Sequence, residues 1–427
     1  MNMVESTRMD NGLRLVSCKM PLRQSVSIVI GIKSGSIYER KEEQGISHFI
    51  EHMLFKGTEK RKNTLEISQA IEKLGGEINA STSEEYTLLY SKVLYKNFTD
   101  AFEVLADILC NSIFREEDIR QEKTVVLEEI NKYQDIPDDW ITFLINRLMW
   151  KDTVLGQNVL GEKKTVRGFS RKLLLPYFQE MYQPQNMVFS ITGNLSPDKI
   201  KAMVEKLPFP VQNGVIREVA PPEEEVNKEP ELKLVKKKVK QAHLCFGFEG
   251  ISRFHPDKIT MDIMNIILGG GLSSRLFQEI RVNEGLAYDI HSYSQYFDKT
   301  GSFNIYAGVI SEKLTHSVKK ILNELRKIKE KKVSETELKI AKEIYKGSIL
   351  LGLENTLSYA FRLGSYALLY NKEYNYREII EHIEGIEAED IRRLAENIFQ
   401  RQRIKLVVFA PNDTRVQRHN LLTLLDV

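Results

Sequence analysis

Apolar residues along this chain recur at two spacings, every second position and every third or fourth position. The first spacing is typical of a half-buried strand and the second of an amphipathic helix. Four strands, each followed by a helix, are predicted at residues 25–33 and 47–57, 86–93 and 98–113, 241–248 and 257–268, and 301–309 and 311–328. The last two pairs repeat the order of the first two, which predicts an internal duplication.

Such a duplication predicts an α+β fold of two homologous domains, each an antiparallel sheet packed with helices, that form a clamshell around a cleft. The chain has 427 residues, more than one hydrophobic core usually supports. Apolar periodicity is lost where Pro221 and Pro222 precede three glutamates, as in an exposed linker. We therefore predict a first domain over residues 1–210, a linker over 211–231 that acts as a hinge, and a second domain over 232–427.

Composition and charge indicate which kinds of molecule the chain is expected to contact and in which compartment it is expected to lie. The formal net charge is only +2, so nucleic acid is not expected as a partner. The first residues lack the apolar core of a signal peptide, and no apolar run approaches the length of a membrane span, so we expect a cytoplasmic protein without membrane contact. Cys18, Cys110 and Cys245 are widely spaced among apolar residues and are predicted to be buried, reduced thiols.

The candidate chemistry lies in the first helix, in the sequence His48-Phe49-Ile50-Glu51-His52. Residues four apart project from nearly the same side of a helix, so His48 and His52 can bind one metal ion with Glu51 beside them. Zinc binds neutral imidazole and keeps a position for water at catalytic sites, and a nearby carboxylate can accept the proton of that water. Two core histidines and a surface glutamate on an apolar helix would produce the same pattern.

Local signals place the ends of this helix, and a second helix offers a further ligand. Ser47 is predicted to cap the first turn, and Gly57 to end the helix. A catalytic zinc usually has three protein ligands, and the next carboxylate-rich helix is predicted over residues 116–134. Glu122 and Glu129 share one face of it, so we predict Glu129 as the third ligand and Glu122 as an auxiliary carboxylate behind the ligands. Taken alone, a glutamate-rich helix is more commonly a solvated face.

The spacing of His48, His52 and Glu129, with 76 residues between the last two, resembles that of the inverzincins, the pitrilysin-type zinc peptidases. The stretch at 45–58, Gly-Ile-Ser-His-Phe-Ile-Glu-His-Met-Leu-Phe-Lys-Gly-Thr, is similar to the branch with the beta-type mitochondrial processing peptidases and their bacterial relatives. The resemblance covers nearly the whole chain and implies Glu51 as general base. The corresponding helix of the second half, residues 257–268, contains no histidine. One Zn²⁺ per chain is therefore expected.

Two further segments acquire roles through this resemblance. One matches an edge strand whose backbone pairs with an extended substrate in the family, although an ordinary edge strand would look the same. Its matching positions are Asn79, Ala80, Ser81 and Thr82. In the second half, Arg281 and Tyr288 match family residues that reach the zinc site, where a guanidinium can hold a substrate carbonyl and a phenol can donate to an oxyanion. Without the resemblance, both side chains would be interpreted as structural.

The sequence therefore predicts a zinc-dependent endopeptidase that hydrolyses peptides or unstructured protein segments in a closed chamber. Fused members of the family are twice as long, and by analogy the resemblance implies a homodimer here. Two other functions stay open. The first alternative is a specific processing peptidase that removes N-terminal leader segments. The second is a catalytically silent scaffold or binding subunit. The complete motif disfavours the silent subunit.

Overall fold

The protein is described by a computed structural model, which covers residues 3–209, 217–219, 229–412 and 418–425. It divides into two compact units, each of which takes residues from both halves of the sequence. The first unit comprises Met1–Asn131, Gln157–Val219 and Leu350–Tyr374, and the second comprises Lys132–Gly156, Ala220–Ile349 and Asn375–Val427. Each unit combines one sheet with several helices, so the predicted α+β fold with two similar parts is confirmed.

The strands are β1 (Met3–Arg8), β2 (Arg14–Lys19), β3 (Ser25–Ile32), β4 (Glu77–Thr82), β5 (Thr87–Leu94), β6 (Met187–Gly193), β7 (Glu231–Lys237), β8 (Ala242–Glu249), β9 (Ala287–Tyr296), β10 (Gly301–Val309) and β11 (Lys405–Pro411). The helices are α1 (Ile46–Leu54), α2 (Thr64–Glu72), α3 (Phe98–Asn111), α4 (Glu116–Asp135), α5 (Pro137–Met149), α6 (Lys163–Gly168), α7 (Arg171–Met181), α8 (Pro197–Val204), α9 (Lys258–Leu268), α10 (Leu314–Glu330), α11 (Glu335–Gly352), α12 (Thr356–Ser365), α13 (Tyr376–Gly385), α14 (Ala388–Ile398) and α15 (Arg418–Leu424).

The strands and helices of the predicted repeat are present, with ends displaced by a few residues. β10 occupies the predicted range, and all nine of its residues are buried. α10 begins at Leu314 because residues 311–313 form a short 3-10 turn before it. Such differences at helix ends arise from local turns that hydrophobic periodicity does not report.

The two sheets have the same strand order. The first runs β1-β2-β6-β3-β5-β4 and the second β7-β11-β8-β10-β9. Apart from β1, each strand of the first sheet has a counterpart at the same place in the second, including one parallel pair, β2 with β6 and β7 with β11. The other neighbours are antiparallel. The parallel pairs were not predicted. Long connections with helices precede β6 and β11, as parallel pairing requires. The shared order supports the internal duplication.

One helix on each sheet comes from the other half of the sequence. α12 packs against β3 and β6, and α5 packs against the corresponding strands of the second sheet, β8 and β11. At the start of α12, the Ser27 hydroxyl donates to Thr356 Oγ1 at 2.9 Å, and Thr192 donates to the Thr356 carbonyl oxygen at 2.5 Å. α5 lies so close to β8 that a Cβ at Gly247 would be 2.4 Å from Met149 Sδ. Both sheets are therefore covered in equivalent ways.

The predicted domain boundaries, 1–210 and 232–427, are continuous and do not include this exchange. An amphipathic pattern shows which face of a helix is buried but not which sheet it covers. Most of the predicted linker at 211–231 lies outside the described residues. In its described part, the Arg217 guanidinium donates to Glu43 Oε2 at 2.6 Å and to Glu180 Oε1 at 2.7 Å, both in the first unit.

Two further predictions concerned the cysteines, expected to be buried, reduced thiols, and membrane-spanning segments, of which none was expected. All three cysteines are free thiols, with Cys18 and Cys245 buried and Cys110 half-buried. Burial raises the pKa of Cys18 to about 11. Among the described residues, no helix combines the length and apolar character needed to cross a membrane.

Candidate metal centre

The candidate site lies in the first unit, where α1, α4 and β4 contribute its side chains. α1 is fixed by its apolar face, since Ile46, Phe49 and Ile50 are fully buried and the Phe49 ring lies 5.2 Å from that of Phe169. The site residues of α1 are His48, Glu51 and His52, those of α4 are Glu122 and Glu129, and β4 contributes Thr82.

Three potential ligand atoms converge between α1 and α4. His48 Nε2 and His52 Nε2 are 3.2 Å apart, and Glu129 Oε2 lies 3.7 Å from the first and 3.5 Å from the second. A circle through three atoms at these separations has a radius of about 2.0 Å, which is the length of a zinc–nitrogen or zinc–oxygen bond. Across the described part of the chain, these residues form the one group of three or more His, Cys, Asp or Glu side chains close enough to hold a metal ion.

His52 is contacted on both sides by α4. Its Nδ1 lies 2.7 Å from Glu122 Oε1, while Nε2 faces Glu129. Glu122 is buried and also forms an ion pair with Lys56. Burial opposes ionisation of Glu122, but these two partners outweigh it and lower its pKa. Since an ionised carboxylate at Nδ1 keeps a proton there, Nε2, which faces the other ligand atoms, is the nitrogen that would bind a metal ion after releasing its own proton.

The two histidines differ in their surroundings. His48 is buried, and its Nδ1 has no hydrogen-bond partner within the described ranges. Burial and the neighbouring His52 lower the pKa of His48 to about 4. Burial also opposes charge on His52, but its hydrogen bonds with Glu122 and Glu129 raise its pKa to about 9. His48 is thus held neutral, the form that binds zinc.

Glu51 lies beside the two histidines and is held by β4. Thr82 Oγ1 donates to Glu51 Oε2 at 2.5 Å, and no described residue hydrogen-bonds to Oε1. Burial raises the pKa of Glu51, although the Thr82 bond and the nearby His52 oppose that shift. A carboxylate with a raised pKa and one free oxygen is suited to accept a proton.

The start and end of α1 differ from the prediction. Ser47 does not cap the helix, because α1 begins at Ile46 with Gly45 as its N-cap, and the first-turn amides are bound by Glu39 instead. The helix ends at Leu54, before Gly57. The role of Glu39 was not predicted, because a side chain that caps a helix from outside it leaves no local signature in the sequence.

The predicted substrate strand is β4, which is the edge strand of the first sheet. It pairs with β5 on one side, from Glu77 with Lys92 to Thr82 with Thr87. Asn79 and Ser81 are exposed, Ala80 is buried, and Thr82 is half-buried. The Asn79 side chain accepts a hydrogen bond from the Ala80 amide at 2.8 Å.

Arg281 and Tyr288 lie together in the second unit. The Arg281 guanidinium is 4.9 Å from the centre of the Phe277 ring and 5.4 Å from that of Tyr288. Arg281 belongs to a π-helical turn, Phe277–Asn283, which was not predicted from the sequence. Tyr288 is 74% exposed. Such turns are frequent at functional sites, and the two rings hold the guanidinium by cation–π contacts.

The counterpart of α1 in the second unit, α9, lacks histidine. Its carboxylate, Asp262, accepts hydrogen bonds from Tyr296 at 2.6 Å, Tyr345 at 2.5 Å and Lys258 at 2.7 Å. These donors already satisfy both oxygens of Asp262. The described part of the second unit contains no group equivalent to the three converging atoms of the first.

The chain is similar in sequence to family models and to a protein that are described as peptidases. Residues 14–163 match the family model "Insulinase (Peptidase family M16)", and residues 168–345 match "Peptidase M16 inactive domain". The chain is 36% identical to "Uncharacterized zinc protease YmxG" of Bacillus subtilis over 397 residues, which are 93% of this chain and 96% of that protein.

Two solved structures share the fold. A protease from Helicobacter pylori superposes with a TM-score of 0.89 at 23% identity, over 96% of this chain and 100% of the other. A structure from Pseudomonas fluorescens described as a peptidase M16 inactive domain superposes with a TM-score of 0.88 at 17% identity, over 97% and 100%. At these identities, the likeness shows the fold alone.

Proposed function

The chain belongs to the insulinase family of peptidases, family M16, and we propose that it is a zinc-dependent endopeptidase that hydrolyses peptides or unstructured protein segments. The resemblance to pitrilysin-type peptidases is thereby confirmed at the level of the family. The observation that carries the proposal is the set of three ligand atoms within 3.7 Å of one another, with Glu51 beside them.

In this proposal His48, His52 and Glu129 hold one Zn²⁺, and Glu122 orients His52 through Nδ1. The ion supplies a Lewis acid and lowers the pKa of a bound water molecule. Glu51 accepts the proton of the attacking water at Oε1, because Thr82 already occupies Oε2. A positioned carboxylate base of this kind contributes about 100-fold to 10,000-fold to the rate.

The substrate contacts in the proposal come from the family resemblance. The edge of β4 that faces away from β5, at Asn79, Ala80, Ser81 and Thr82, would pair with an extended peptide backbone. Arg281 would hold a substrate carbonyl or carboxylate, and the Tyr288 hydroxyl would donate to the oxyanion of the tetrahedral intermediate. The homodimer and the cytoplasmic location stay predictions.

Hydrolysis of a quenched fluorescent peptide library tests the proposal. Wild-type protein loaded with zinc, chelator-treated protein and Glu51→Gln are compared, and zinc content is measured in each. We expect Glu51→Gln to retain zinc and lose at least about 100-fold in kcat/KM. Equal activity in Glu51→Gln and wild type would contradict the role of Glu51. The cleavage products distinguish a general oligopeptidase from a peptidase that removes leader segments.

A catalytically silent scaffold is the second candidate, and one observation favours it. The family model matched by residues 168–345 describes an inactive domain. The first unit argues against it, because His48, His52 and Glu129 converge there and Glu51 is present on the same helix as the histidines. Zinc bound at one ion per chain without cleavage of any peptide would establish the scaffold.

A further inference from the structure

The N-terminus of α1 is bound by a buried carboxylate from outside the helix. Glu39 Oε2 accepts the amide proton of Gly45 at 2.7 Å, and Oε1 accepts that of Ser47 at 2.9 Å. Glu39 is only 4% exposed, and no ion pair to it occurs in the described ranges. Burying a carboxylate without a cation is costly. The two amides and the positive end of the helix dipole offset part of this cost, although burial still raises the pKa of Glu39 to about 7.

The backbone that leads into α1 is also closely confined. Gly45 has a φ of 88° and Gly161 a φ of 78°, a region that favours glycine. The two residues are in contact, since a Cβ built on Gly45 would lie 2.6 Å from the Gly161 Cα. The Ser47 hydroxyl lies 2.9 Å from the Tyr177 hydroxyl, and Tyr177 is buried. The first turn of α1 is thus fixed by contacts on several sides.

His48 depends on this turn more than His52 does. His52 is oriented by Glu122 through Nδ1, whereas His48 Nδ1 has no hydrogen-bond partner among the described residues. Metal-binding histidines are usually oriented by such a partner. Since His48 directly follows Ser47, the position of its ring is set by the backbone that Glu39 holds and by the packing around it.

We propose that Glu39 is a positioning residue for the metal centre. By binding the amides of Gly45 and Ser47 it fixes the first turn of α1, and it thereby places His48 Nε2 within reach of the other two ligand atoms. The inference rests on the proposed function, because it takes His48 as a ligand. The inference goes beyond the proposed function because it gives Glu39, a carboxylate outside the ligand set, a role in metal affinity.

The matched control is Glu43, a second buried glutamate in the same segment. It is 5% exposed, and its carboxylate accepts from Arg217 at 2.6 Å and from the Arg40 amide at 2.9 Å rather than from α1. Glu39→Gln, Glu39→Asp and Glu43→Gln are compared with wild type. Zinc affinity is measured by competition with a chromophoric chelator, and amide exchange of Ser47 is measured by hydrogen–deuterium exchange on the metal-free protein.

For Glu39→Gln we expect a zinc affinity about 10-fold weaker than that of wild type and faster exchange at Ser47. Glu39→Asp keeps the charge, but we expect its shorter side chain to reach only one amide. The zinc affinity of Glu39→Asp should therefore lie between those of wild type and Glu39→Gln. Glu43→Gln should lower the melting temperature without changing zinc affinity. If Glu39→Gln does not fold, Glu39→Asp decides the comparison.

Wild-type zinc affinity in the Glu39 variants would overturn the inference, as would an equal loss in Glu43→Gln. A wild-type protein that binds zinc but cleaves no peptide contradicts the proposed function alone, because the role of Glu39 is measured by affinity. A wild-type protein that binds no zinc overturns both.

Discussion

The Thr82 hydroxyl donates to Glu51 Oε2 at 2.5 Å, which connects an edge strand of the first sheet to the carboxylate proposed as general base. The bond favours the ionised form of Glu51, whose pKa burial raises. Thr82 was predicted only as part of a strand that pairs with substrate. In the structure its side chain also affects the basicity of the site.

Thr82→Val should therefore shift the pH dependence of hydrolysis. Without the hydroxyl, the pKa of Glu51 rises further, and a base must be ionised to work. We expect the acid limb of kcat/KM to move to higher pH by about one unit, since a hydrogen bond to a charged group is worth about 1.5 kcal/mol or more. At pH values well above that limb, kcat/KM should change little. Thr82→Ser keeps the hydroxyl and should keep the wild-type profile, and an unshifted valine profile would contradict the role of Thr82.

The parts of this structure that the sequence predicted depend on local geometry. Residues four apart on a helix share a side, so His48 and His52 were expected to face one ion. Glu122 and Glu129 are seven positions apart, and this spacing brings both to His52, one at each ring nitrogen. The hydrophobic periods likewise predicted the repeated strands and helices, because burial of one face sets those periods.

The parts that were not predicted depend on contacts between different elements of the structure. Glu39 reaches amides that follow an intervening turn, and Thr82 reaches Glu51 from another element. α12 covers a sheet from the first half of the chain, where Thr356 contacts Ser27. No local pattern encodes such pairings, since each depends on how the whole unit is packed.

Glu122→Gln tests whether the carboxylate behind His52 supports metal binding. The substitution removes the charge that orients Nδ1, so zinc affinity should fall by about 10-fold to 100-fold. Glu128→Gln is the control, because Glu128 lies on the same helix but is exposed, with Asn131 as a hydrogen-bond partner. Competition with a chelator measures both. Equal affinities in the two variants would show that Glu122 only stabilises the fold.

Tyr288→Phe and Tyr288→Leu separate the two features of that side chain. Phenylalanine keeps the ring 5.4 Å from the Arg281 guanidinium and removes only the hydroxyl. If the hydroxyl donates to the oxyanion, kcat should fall by about 100-fold or more with KM little changed. Leucine also removes the cation–π contact, so KM should rise as well because Arg281 is less well held. Steady-state kinetics on one peptide tests this, and wild-type kcat in Tyr288→Phe would exclude the hydroxyl from the chemistry.

Gly161→Ala should weaken the site without touching any of its side chains. Gly161 has a φ of 78°, and an added Cβ would lie 2.4 Å from the Gln44 carbonyl oxygen. The segment that leads into α1 must then move, at a cost of about 1–3 kcal/mol for the strained backbone. We expect a lower melting temperature together with weaker zinc binding. Gly168→Ala is the control, because nothing lies within 4 Å of a Cβ at that position, and alanine there should be neutral or slightly stabilising. Should Gly161→Ala lose stability but bind zinc like wild type, the turn into α1 would matter for folding and not for the metal centre.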